Sequence, residues 1–195
     1  GVWVARYLGP ERFGLFSYAQ SFVGLFTAIA TLGLDSIVVR ELVKDDKRRD
    51  ELIGTAFWLK VMGTIGVLLM LALAVNLTSN DSYTNTLVFI IASAMIFQSF
   101  NVVDFYLQSK VMSKLVVYSN IISLFLSSLL KIALILNEAP LIAFAWVIVF
   151  DNFVLALGFI YFFIKINSTF NIKNLKFSKI IAISFLKDSW PLILA

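Results

Sequence analysis

Long apolar runs alternate with short polar connections along this chain, and the length of the runs predicts membrane-spanning helices. A helix needs about 20 mostly apolar residues to cross a bilayer core. Five runs meet that length: 15–39, 52–76, 86–107, 115–136 and 141–164. Two more are cut by the chain ends. "GVWVARYL", Gly1 to Leu8, is apolar from its first residue and has no initiator methionine, so it reads as the end of a helix. "SWPLILA", Ser189 to Ala195, reads as the start of a seventh, with Pro191 suited to a first turn, where its missing N–H costs nothing. The expected fold class is all-α, a polytopic transmembrane helix bundle, and the expected chain is a piece of a longer one. Within 165–187, Phe177, Ile180, Ile181 and Phe185 recur at helical spacing with Lys176, Lys179 and Lys187 among them. That pattern suits either an interfacial amphipathic helix or an ordinary basic loop.

Composition agrees with the pattern. Of 195 residues, 60% are hydrophobic and 14% charged, against roughly 45–50% and about 25% in a soluble domain. Most of this apolar surface needs lipid as its solvent. The chain has no cysteine and no histidine, which removes disulfides, thiolate metal sites and the commonest general base. It carries no Walker loop, no G-x-S-x-G and no metal-binding cluster, so no enzyme chemistry and no cofactor are expected. Two sequons, at Asn76 and Asn80, matter only in a eukaryotic host.

The basic pI of about 9.3 suggests nucleic acid until the cations are placed. "GPERFG" (9–14), "LTSNDSYTN" (77–85) and "NEAP" (137–140) fall on one side of the membrane, with Arg12 in them and Arg6 just before. The patch 40–51, "QSKVMSK" (108–114) and 165–187 fall on the other, with twelve of the sixteen basic residues. Lys60 and Lys131 lie within spans. This asymmetry makes loops 40–51, 108–114 and 165–187 cytoplasmic. The patch from Arg40 to Glu51 holds five basic and five acidic residues; the topology rule counts the basic ones and largely ignores the acids. No nucleic-acid partner is expected.

Five ionisable residues fall inside the runs: Asp35, Lys60, Asp104, Lys131 and Asp151. Each is costly at mid-helix, by at least about 2.5–3.5 kcal/mol, and such groups usually face a protein interior or a wet cavity. Asp151 lies deepest by position, either functional or paired with Lys131 on the neighbouring helix. Lys60 either snorkels to the cytoplasmic face or enters a cavity. Asp35 and Asp104 fall near cytoplasmic helix ends. Two polar stripes follow steps of three and four: Gln98, Asn101, Asp104 and Gln108, then Asn120, Ser123, Ser127 and Lys131. They suit a shared hydrophilic interior, with helix-packing glue as the alternative. Trp3, Tyr7, Tyr106, Tyr161 and Trp190 fall near span ends, as interfacial anchors do.

"WVARYLGPERFGLFSYAQSFVGLFTAIATLGLDSIVVREL" resembles the N-terminal region of bacterial polysaccharide-unit flippases of the O-antigen type, through A-R-x-L-G-P-E-x-F-G-L, then L-G-L-D and R-E-L. "FNVVDFYLQSKVMSKLVVYSNIIS" is similar to that family's helix 4–5 region, and "LKDSWPLILA" to the start of its helix 7. Phe105 stands where the family often has tryptophan, and "QSK" replaces a commoner glycine-containing turn.

The resemblance implies a two-lobed transporter of the multidrug/oligosaccharidyl-lipid/polysaccharide exporter superfamily. Residues 1–164 would be its six-helix N-terminal lobe with helix 1 truncated, 165–187 a cytoplasmic linker, and 188–195 the start of helix 7. It implies a polyprenyl diphosphate-linked oligosaccharide as substrate, moved between leaflets of the bacterial inner membrane by alternating access, for surface polysaccharide such as lipopolysaccharide. A polysaccharide polymerase and chain-length proteins would be partners, and H+ or Na+ the coupling ion. On that expectation Arg40, Lys60, Gln98, Asn101, Asn120 and Lys131 contact substrate, and Asp35, Asp104 and Asp151 gate or couple. Two alternatives stay open: a cation-coupled multidrug extruder of the same superfamily, and a non-transporting component of a polysaccharide assembly complex.

Overall fold

A computed structural model describes residues 2–31, 33–77, 81–166 and 176–193, without the side chains at 28–31, 46 and 190–193. Asn80 and Lys173, and the side chains of Trp190 and Pro191, therefore lie outside the described residues. All regular structure among the described residues is helical: α1 Val2–Thr31, α2 Asp35–Lys44, α3 Arg49–Leu77, α4 Ser82–Ser93, α5 Met95–Gln98, α6 Val102–Ser109, α7 Ser113–Leu136, α8 Leu141–Ile166 and α9 Lys179–Ile193. Short 3-10 turns fill Asp46–Arg48 and Ser99–Asn101. The stretches Arg49–Leu77, Ser82–Ser109, Ser113–Leu136 and Leu141–Ile166 are each long and apolar enough to cross a membrane.

The first expected span, 15–39, is not one helix. α1 already includes 10–14, so the expected loop "GPERFG" shrinks to a break at Gly9 (φ 73°, ψ 171°), with Pro10 opening the next helical segment. A second break follows Thr31, and Gly33 (φ 58°) sits in it before α2 starts at Asp35. Positive φ at both breaks is what glycine supplies without a Cβ clash. Helix α2 then continues past 39 to Lys44, because the apolar run gives way to an amphipathic one: Ile37, Val38 and Leu42 are buried while Arg40, Val43 and Lys44 are exposed.

The remaining ends have local causes. Asp81 caps α4, its carboxylate accepting from the Thr84 N–H (3.3 Å). α7 closes in a Schellman motif: Ala139 N–H bonds the Leu134 carbonyl (3.0 Å) and Glu138 N–H bonds Ile135 (3.2 Å), with Glu138 at φ 50°. Pro140 then prevents continuation. The same motif ends α6, with Met112 N–H on Leu107 (2.8 Å), Val111 N–H on Gln108 (2.9 Å) and Val111 itself at φ 59°.

The described helices pack around two apolar cores stacked end to end. One takes Val4, Leu8, Ala19 and Val23 of α1, Val67, Leu71 and Val75 of α3, Leu87 to Met95 in part, and Leu141, Phe144 and Ala145 of α8. The other takes Ile37, Val38 and Leu42 of α2, Leu52 to Leu59 of α3 in part, Val102 to Leu107 of α6 in part, Phe159 and Phe163 of α8, and Ile181, Ala182 and Phe185 of α9. The helices shared by both cores carry polar residues between their two apolar contributions. In α3 these are Lys60 and Thr64, in the stretch Ser82–Ser109 Gln98, Ser99 and Asn101, and in α8 Asp151. The junction of the cores is a polar waist.

The linker helix is docked, not lying free on the surface. Ile181 and Phe185 are buried, whereas Phe177 and Ile180 are exposed, so only part of the expected stripe faces the bundle. The Ser178 N–H donates to the buried Thr55 hydroxyl (3.0 Å), and Arg40 Nη2 meets Asp188 Oδ2 at 2.7 Å. Helix α9 runs through the boundary expected at 187, and position 191 falls in its last turn rather than its first.

Candidate functional site

Lys60 is the centre of the waist. Its side chain is 5% exposed, and its Nζ pairs with Asp35 Oδ1 at 3.0 Å, while the Asp35 side chain is 58% exposed. The Nζ also lies 4.4 Å from the centre of the Phe105 ring, within cation–π range. Of the two readings of Lys60, snorkelling gives way to the buried one. The depth explains it: Lys60 lies eleven residues into α3, about 16 Å along the axis at about 1.5 Å per residue. Asp35 starts α2, nine residues from its far end at Lys44, which is about 14 Å by the same measure. Asp35, the first residue of α2, is therefore level with Lys60 and far from the charged end of that helix, a correction that follows from the break around Gly33.

Beside the pair lies a cavity of about 40 Å³ walled by Asp35, Lys60 and Thr64 on one side, and by Met95 and Gln98 of α5 with Ser99 and Asn101 of the following 3-10 turn on the other. Gln98 and Asn101 thus wall the same cavity as Lys60. Asp104 sits one turn further, half-buried, accepting from Gln108 Nε2 (2.9 Å) and close enough to act electrostatically on Lys60. Thr64 and Ser99 were not singled out from sequence. Thr64 stands four residues after Lys60 on the same helix face, a signal that was present; Ser99 had none.

The other candidates lie elsewhere. Asn120 is exposed on α7, away from this cavity. Of the stripe expected on α7, Ser123 and Ser127 are buried in a packing seam together with Ser119, and Ser119 fits against Gly158 of α8, where an added Cβ would come within 2.8 Å of Ser119 Oγ. This corrects the shared-interior reading of that stripe in favour of small-residue packing. Asp151 does not pair with Lys131. Ser123 Oγ lies 2.5 Å from Asp151 Oδ1 and 2.7 Å from the Asp151 carbonyl, so the hydroxyl satisfies the carboxylate across the seam. Lys131 lines a separate groove of about 430 Å³ with Trp3, Val4 and Ser128.

At the charged end, Arg40 is committed to Asp188 and Glu41 (3.0 Å) and does not line the Lys60 cavity. Lys44 Nζ also bonds Glu41 (2.9 Å). The bond from Lys44, with that from Arg40 adding to it, holds the Glu41 carboxyl below its ordinary value against the opposing effect of partial burial. Arg49 lies over the Tyr106 ring at 5.7 Å. Tyr106 is buried edge-on against Phe163, so it is a core residue more than an interfacial anchor. Tyr7 acts as a clasp instead, its hydroxyl donating to the Ala139 carbonyl (3.0 Å). No metal-binding group of acidic residues occurs among the described residues.

A bundle with four bilayer-length helices and a charged, polar waist between apolar cores defines a polytopic integral membrane protein. Within that class the chain belongs to the polysaccharide biosynthesis protein family, whose model matches residues 2–195. This connects it with polysaccharide biosynthesis and export. No curated protein and no solved structure matches the chain.

Proposed function

We propose that this protein flips polyprenyl diphosphate-linked oligosaccharide units from the cytoplasmic to the periplasmic leaflet of the bacterial inner membrane by alternating access. The observation that carries the reading is the Lys60–Asp35 pair at the waist. A diphosphate crossing a membrane needs a cation at mid-depth, since a bare charge there is prohibitive. Lys60 offers one, held by a carboxylate that is itself accessible and can be exchanged for a phosphate oxygen. Gln98 and Asn101 add the amide donors and acceptors that sugar hydroxyls require. The polyprenyl tail stays in lipid. Asp35, once displaced, and Asp104 supply sites at which H+ or Na+ coupling would act. Arg40, tied to Asp188, serves as a clamp between α2 and α9 before it serves as a phosphate ligand. Polymerase and chain-length proteins remain the natural partners on the product side.

The test uses the full-length protein in cells lacking their own exporter. Lys60→Ala is expected to abolish surface polysaccharide at normal membrane abundance, and Lys60→Arg to retain part of it. Intact export in the Lys60→Ala strain would remove the basis of the reading. Two carboxylates, Asp35 and Asp104, around one ammonium are what favours the alternative of a cation-coupled drug extruder. Lys60-independent efflux of cationic dyes, with no polysaccharide defect, would decide for it.

A further inference from the structure

We propose that the waist cavity is a resident-water site, in which bound water joins the Lys60 ammonium to Ser99 of the 3-10 turn before α6. The argument is an account of hydrogen-bonding groups. An ammonium carries three N–H donors. In Lys60 one reaches Asp35 and the ring face of Phe105 takes a second direction, which leaves a third with no partner among the described residues. Ser99 is 2% exposed, and its Oγ is buried and also has no partner among the described residues. Both residues wall the same cavity. Buried polar groups are satisfied in the great majority of cases, by water where protein does not reach.

The space fits that role. A volume of about 40 Å³ exceeds the ~10–15 Å³ one water requires. The walls supply the two to four polar partners that hold a buried water, from Lys60, Ser99 and the side chains of Gln98 and Asn101. The backbone adds an independent sign. Ladder bonds around 94–101 shorten to i→i−3, with Ala94 N–H on Ile91 (3.2 Å) and Phe97 N–H on Ala94 (3.1 Å), followed by the 3-10 turn at Ser99–Asn101. Such breaks at membrane depth persist where they are buried in protein or face water.

The consequence concerns Lys60 directly. Two of its three directions are fixed, one by the Phe105 ring and one by the water, so Asp35 is its single exchangeable partner. Ser99 is then a positioning residue that acts through the water. The site does not depend on the transport reading, and its test does not measure export.

Met95 walls the cavity and is 2% exposed, so its side chain has little direct contact with bulk solvent. Pulsed X-ray hydroxyl-radical labelling of the full-length protein in nanodiscs, run in ¹⁸O-water, forms radicals from bound water in place. Met95 is expected to become oxidised in the wild type. The label is expected to be lost in Ser99→Val, which fills the space and removes the hydroxyl, while the exposed Met112 keeps its own. Ser99→Ala, which adds no volume, serves if the valine variant does not fold and is expected to weaken the label. An unlabelled Met95 in the wild type, or a label unchanged in both variants, overturns the proposal.

Discussion

Removing either partner of the Lys60–Asp35 pair breaks the same contact, yet the two removals are expected to differ greatly in stability. At 3.0 Å the attraction is about 5.5 kcal/mol for an effective dielectric of about 20 and about 1.4 kcal/mol in water. The asymmetry comes from the group left behind. Lys60 is 5% exposed, so in Asp35→Ala its ammonium keeps its desolvation cost and loses the compensation. Stranding a buried charge costs about 3–5 kcal/mol, and the Phe105 ring and the more distant Asp104 bring the expectation to the lower end, about 3 kcal/mol. In Lys60→Met the attraction is lost, but so is the cost of burying the ammonium. With the waist open to water, as the transport reading requires, the carboxylate left behind is 58% exposed, and the expected change is about 0–1 kcal/mol. A difference of 2–3 kcal/mol is roughly 30- to 150-fold in the unfolding equilibrium. Unfolding of the full-length protein in mixed micelles, read by tryptophan fluorescence against denaturant, measures it. Asp35→Ala combined with Lys60→Met should return to the level of Lys60→Met alone. Equal losses for the two single variants, or a larger loss for Lys60→Met, would refute the reasoning. A stable Lys60→Met also makes the export assay clean, since lost export would then not be lost folding.

Two further outcomes follow from packing and backbone. Gly158→Ala puts a Cβ 2.8 Å from Ser119 Oγ and 3.1 Å from Ser119 Cβ, which forces α7 and α8 apart; a loss of about 1–3 kcal/mol is expected by the same unfolding assay, with Ser119→Gly restoring most of it. Val111 is a β-branched residue at φ 59° and 90% exposed, so Val111→Gly relieves strain of about 1–2 kcal/mol while adding chain entropy in the unfolded state. A net gain of up to about 1 kcal/mol is expected, and a destabilised glycine variant would show that the turn is not strained.

How much was legible in advance varies along the chain. The spans at 52–76, 86–107, 115–136 and 141–164 could be read because twenty apolar residues in a row have few other uses. The run at 15–39 misled because it is apolar throughout, while the break in it comes from backbone conformation around Gly33, which hydropathy does not register. Lys60, Gln98 and Asn101 were legible as costly or polar groups inside apolar runs. The Asp151–Lys131 pairing failed because opposite charges on neighbouring helices meet only if they share a level and a face, and a serine at the seam answered Asp151 first.

The sequence by itself determined that this is a membrane-spanning helical bundle, which side carries most of its cations, and which residues are too polar to be indifferent to their surroundings. These follow from composition and from periods of a few residues, and every stretch of chain carries them locally. The tertiary structure alone decided that Asp35 answers Lys60 across 25 positions, that Asp188 answers Arg40 across 148, and that the serines of α7 are a seam and not a cavity wall. Those outcomes depend on the rotation and depth of one helix against another. Side-chain packing and the two glycine breaks set both, and no short window of sequence contains them.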